Sequence, residues 1–214
     1  KDASHMSFLP TDVLDFWFPD TGHQNAPETY AAFWSERMQG GMEDAIISGF
    51  ADITHAAASG QLDHWAETPR GRLALVIALD QFPRSLWRNT PAAYAQDIKA
   101  ARLALEGMAN GHFGCLQPWE MMFFYLAIAH CEGPYHLARM HMLDDAVELV
   151  IKKLPDQLCE SGPRLRAQHQ RVKKITATYG RHPHRNDILS RRSTPEEELY
   201  ISAGDFPHLA KRGP

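Results

Sequence analysis

Apolar residues recur at intervals of three and four along most of this 214-residue chain, and no segment shows the strict alternation of a half-buried strand. After Pro134 the positions Leu137, Met140, Leu143, Val147, Val150 and Leu154 keep helical spacing, with Arg139, Glu148 and Lys152 opposite them. Tyr94, Ile98, Ala101 and Leu105 predict a second one-sided helix, and Leu165, Val172, Ile175 and Tyr179 a third, closed by Gly180 as a left-handed cap. Helix starts are marked by Thr68-Pro69, Thr90-Pro91 and Thr194-Pro195. In each, a hydroxyl that can accept from the first turn precedes a proline whose missing N–H costs nothing there. Thr194-Pro195-Glu196-Glu197 also meets the capping-box pattern, which assigns Glu196 to Glu198 to a helix start.

The N-terminal third predicts helices over 12–18, 27–38 and 42–59, separated by Pro19-Asp20-Thr21-Gly22 and Gly40-Gly41. Together these segments predict an all-α fold. Eight or so helices would form antiparallel helical hairpins stacked as a compact tetratricopeptide-like array, although the five tryptophans do not recur at the ~34-residue period of such repeats. Residues 1–5 read as an expression scar before Met6, leaving 6–214 as a single helical domain. A hydrophobic content of 44% is enough to close its core without staples.

The net charge of −4 argues against nucleic acid as a partner, and no apolar run approaches the ~20 residues that span a bilayer. Cys115, Cys131 and Cys159 form an odd set with no paired spacing, so the expected location is the reducing cytoplasm. No G-x-S-x-G, G-x-G-x-x-G, P-loop, H-E-x-x-H or C-x-x-C-H motif occurs, and no cofactor is required by the residues present.

One local excess of charge stands out. Between Ser161 and Asn186 there are seven basic residues and no acid, which is either a helix face balanced elsewhere or a site for a small anion. It ends in Arg181-His182-Pro183-His184-Arg185-Asn186, where two imidazoles flank a proline and Arg185 can hold a carboxylate or phosphate through paired N–H bonds. His130 extends the face of Trp119, Met122, Phe123 and Leu126, and His169 lies on the stripe of Leu165 and Val172, so both are expected to point inward. Asp80, after the apolar run 73–79, needs a partner if buried; Arg84 at i+4 is the expected one, with Asp97 a further buried carboxylate.

Val13-Leu14-Asp15-Phe16-Trp17-Phe18, Leu79-Asp80-Gln81-Phe82-Pro83-Arg84, His182-Pro183-His184-Arg185-Asn186 and Ser193-Thr194-Pro195-Glu196-Glu197 together resemble a bacterial family carrying a domain-of-unknown-function label. The resemblance implies an all-helical, tetratricopeptide-like fold and a shared site, with no reaction attached. The chain departs from the family pattern at His130-Cys131-Glu132-Gly133, where the resemblance implies His-Ser-Glu-Asp, so an expected acid is replaced by Gly133.

These residues support a helical binding module whose cleft takes a small anionic molecule or a peptide at Arg84, His169, His184 and Arg185. The alternative is a metal-assisted or general acid–base enzyme. In it His130, Glu132, His182 and His184 are the metal candidates, and Asp80, His130, Glu132 and His184 the catalytic ones. A structural or homo-oligomerising role needs only the helix faces.

Overall fold

The computed structural model describes residues 7–207, and the assignments to residues 1–5 and to Met6 lie outside that range. Among the described residues there are eleven α-helices and no strand. They are α1 (Pro10–Trp17), α2 (Pro27–Met38), α3 (Glu43–Gly49), α4 (Ala51–Ala58), α5 (Pro69–Asp80), α6 (Phe82–Leu86), α7 (Asp97–Ala109), α8 (Pro118–His130), α9 (His136–Lys153), α10 (Gly162–Tyr179) and α11 (Pro195–Ala203).

Two helices form the centre of the core. In α5 every residue from Leu73 to Leu79 is fully buried, as an uninterrupted apolar run demands, and α5 packs against α1, α4, α7 and α8. In α8, Met121, Phe124, Tyr125 and Ile128 are buried as well, and α7, α8, α9 and α10 each pack on the next. Gly107 sets the closeness of α7 and α8, since a Cβ there would meet the Phe124 ring at 2.4 Å and Arg72 Cδ at 2.7 Å.

The capping signals hold in part. Thr68 Oγ1 accepts from Gly71 N at 3.1 Å, Thr194 and Glu197 form the reciprocal capping box, and Gly180 has φ 69°. Thr90 does not cap: its hydroxyl donates to Trp87 O at 2.8 Å, and Pro91 opens only a short 3₁₀ turn, Pro91–Tyr94.

The helix expected over 42–59 is broken at Phe50, whose backbone leaves the helical region as its ring packs 4.4 Å from Phe16 and 4.8 Å from Phe82. Burial of an aromatic ring there outweighs helix continuity. The stripe through Ile98 is also corrected. Ile98 is 75% exposed; Ala101 of the expected stripe is buried, but beside Ala100, Leu103, Ala104 and Gly107 rather than Ile98.

Candidate functional site

Helix ends converge on one cavity of about 1140 Å³. Pro83 helps to end α5 because its ring cannot continue the preceding helix, and the resulting corner carries Asp80, Gln81 and Arg84. Asp97 opens α7, His130 closes α8, and Tyr94 and Arg185 each end a 3₁₀ turn.

Asp80 is fully buried. Its carboxylate lies 2.9 and 3.0 Å from His130 Nδ1, 2.5 Å from Gln81 Nε2 and 3.2 Å from the Arg84 guanidinium. Burial alone would raise its pKa, but His130 and Arg84 outweigh that and hold it at about 2. An ionised carboxylate only accepts, so His130 Nδ1 is the donor. The expected Asp80–Arg84 pair is therefore present, with a histidine added to it.

Arg84 also donates to Asp97 at 2.6 Å and to Ala93 O. Arg185 donates to Asp97 at 3.0 Å and to His130 O at 3.0 Å. Both guanidinium groups stack on the Tyr94 ring, 4.7 and 4.5 Å from its centroid. Burial favours the neutral form of Arg84, but Asp97 and Asp80 reverse this and raise its pKa; burial and then Arg84 push Arg185 down. Arg185 Nε and His184 Nδ1 have no hydrogen-bond partner among the described residues. Burial, then the Arg185 charge, lowers His184 to about 3, so it is neutral near pH 7.

The lining includes Arg37, Arg84, Arg88, Arg185, His130 and His184, and no carboxylate among the described residues. Asp80 and Asp97 lie behind the arginines. Arg88 is paired with Glu43 at 2.7 Å. Arg37 donates to Trp17 O at 3.1 Å and covers the Phe33 ring at 3.7 Å, with no carboxylate in ion-pair reach among the described residues.

Of the residues singled out from sequence, Arg84, His130, His184 and Arg185 line this cavity and Asp80 supports it from behind. His169 lies elsewhere: it bonds Tyr125 Oη at 3.2 Å and Asp144 at 2.7 Å at the edge of α9 and α10. His182 Nε2 donates to Ala129 O at 3.0 Å, satisfying an otherwise open carbonyl at the end of α8, and His136 Nε2 does the same at 3.0 Å. Glu132 accepts from His182 N at 2.6 Å and is clamped by Arg191.

Among the described residues no three His, Cys, Asp or Glu side chains gather as a metal site. Gly133 sits at φ 110°, a conformation side chains rarely adopt, so its turn uses the glycine directly. The basic segment is largely neutralised: Arg166 pairs with Glu148, Arg171 with Asp205, Lys173 with Asp144 and Arg181 with Glu197. Tyr94 and Arg37 also line the cavity and nothing in their local sequence marks them, whereas Gln81 lies inside the Leu79–Arg84 motif.

No helix among the described residues is long and apolar enough to cross a membrane. No curated protein matches the chain. A solved structure of a protein of unknown function from Agrobacterium tumefaciens is similar, with 31% identity, a TM-score of 0.60, and coverage of 91% of this chain and 97% of that one. Residues 13–205 match the family described as bacterial protein of unknown function, and the chain belongs to that family, DUF924.

Proposed function

We propose that this protein binds a small anionic ligand in the cavity lined by Arg84, His184 and Arg185. The observation that carries the reading is the wall itself, with four arginines, two histidines and no carboxylate among the described residues. Arg84 and Arg185 are held by Asp97, Asp80 and Tyr94 before any ligand arrives, so little side-chain entropy is lost on binding. The successive packing of α7 to α10 supports a tetratricopeptide-like stack as the scaffold. Three free thiols support a cytoplasmic setting.

Calorimetric titration with acetate, inorganic phosphate and short peptides, on native protein and on Arg185→Lys, tests the assignment. At least a tenfold loss in the variant, with its fold verified by circular dichroism, is expected. Equal affinity in both proteins removes Arg185 from the site.

A second reading is favoured by one observation: His130 lines the cavity while its Nδ1 donates to the Asp80 carboxylate behind it. That is the arrangement of a general base with a positioning carboxylate. Turnover of a bound acid by native protein, with binding but no turnover in His130→Gln, would support it. Equal turnover in both proteins would sink it.

A further inference from the structure

We infer that the ligand of this cavity is an amphipathic monoanion, a carboxylate joined to an apolar body. The inference rests on the anion-binding reading and narrows it.

Size is the first argument. About 1140 Å³ lies just above the usual range of ligand pockets, roughly 300–1,000 Å³, and far exceeds what a bare acetate or phosphate fills. The composition of the wall is the second. Alongside the arginines the same cavity is lined by Leu126, Ile188 and Phe206, which offer nothing to a charged group and much to hydrocarbon.

Charge balance is the third, and it decides between head groups. Arg84 and Arg185 are matched by Asp80 and Asp97, and Arg88 by Glu43. Arg37 alone among the lining arginines has no carboxylate in ion-pair reach among the described residues. Glu36, exposed beside it, only favours its charge at longer range. One uncompensated cation suits one negative charge, and a dianionic phosphate would leave the second charge against a neutral wall. Arg185 Nε, His184 Nδ1 and Trp17 Nε1, all buried and unpartnered among the described residues, are nitrogens of lining residues with hydrogen-bonding capacity left for a head group.

The test is a calorimetric series on the full chain at pH 7.5 with acetate, butanoate, octanoate, 1-octanol and octyl phosphate. Each buried methylene is worth about fourfold in affinity. Octanoate is expected to bind at one site per chain at least tenfold more tightly than acetate and at least tenfold more tightly than 1-octanol, with octyl phosphate no tighter. In Ile188→Asn the octanoate advantage over acetate should shrink at least fivefold.

Equal affinity for acetate and octanoate would overturn the amphipathic ligand and leave the anion-binding reading standing. Equal affinity for octanoate and 1-octanol would instead remove the anion-binding reading. Octyl phosphate binding tenfold more tightly than octanoate would overturn the monoanion preference alone. The native series decides each of these points even if the variant fails to fold.

Discussion

His130 and His169 are both buried, and both contact an aspartate, but the two aspartates live in different surroundings. The Asp80 side chain is 1% exposed and is enclosed by His130, Arg84 and Gln81, whereas the Asp144 side chain is 39% exposed and meets His169 and Lys173 at the surface. Counting His, Lys and Arg partners alone, the surface contacts are the shorter ones, 2.7 and 2.6 Å against 2.9 and 3.2 Å. Distance therefore does not rank the two clusters. Water competes for Asp144 and cannot reach Asp80, so removing a partner leaves an uncompensated buried charge only at the cavity.

The sharpest way to break this contrast is to neutralise each carboxylate without changing its shape. Asp80→Asn leaves Arg84 and Arg185 sharing Asp97 alone, and a loss of about 3 to 5 kcal/mol in urea unfolding is expected. A loss below about 1 kcal/mol would place Asp80 with ordinary surface pairs and show that the cavity floor relaxes freely.

The same contrast has a pH signature. Asp80 is held at about 2 against a usual 3.8, so its contribution is fully present above pH 4 and is lost as pH falls through about 2. The expected share is about 2 kcal/mol. Glu197, also held at about 2 by Arg181, titrates in the same window, so the quantity to follow is the stability difference between native protein and Asp80→Asn from pH 5 to pH 2. That difference should shrink by about 2 kcal/mol; a constant difference would show that Asp80 keeps its charge or never had a shifted pKa.

Much of the cavity floor is legible in the chain because its groups are local to helix ends. Asp80 and Arg84 sit at i and i+4 beside a proline break, and His130 ends an apolar helix face. The surface cluster is not legible, because Asp144 and His169 are 25 residues apart on helices whose pairing no spacing rule fixes. The contact of His182 with Ala129 O is not legible either, since it depends on where α8 ends in space. The α7 stripe fails for a different reason. A close helix contact at Gly107 selects small residues, so Ala100 and Ala104 carry the buried face while the more apolar Ile98 is left outside.

A smaller effect probes the histidine of the surface cluster itself. His169 is 2% exposed, and its Nδ1 bonds Tyr125 Oη at 3.2 Å beneath the Asp144 contact. Tyr125→Phe keeps the ring packing and removes that partner, so a loss of about 1 kcal/mol is expected in urea unfolding. No loss would mean that the Asp144 contact alone holds the imidazole.

The smallest effect belongs to Asp144. Its pKa is lowered chiefly by the Lys173 hydrogen bond, with His169 adding to it, but the carboxylate remains open to solvent. Asp144→Asn should cost less than about 1 kcal/mol. Salt then discriminates between the clusters, because at 1 M the screening length is about 3 Å for exposed charges while a buried pair is hardly screened. Urea titrations at low salt and at 1 M sodium chloride should show the Asp144→Asn loss vanish and the Asp80→Asn loss persist. If both persist, Lys173 and His169 exclude water from Asp144 more fully than its 39% exposure implies, and the two histidine–aspartate pairs belong to one energetic class.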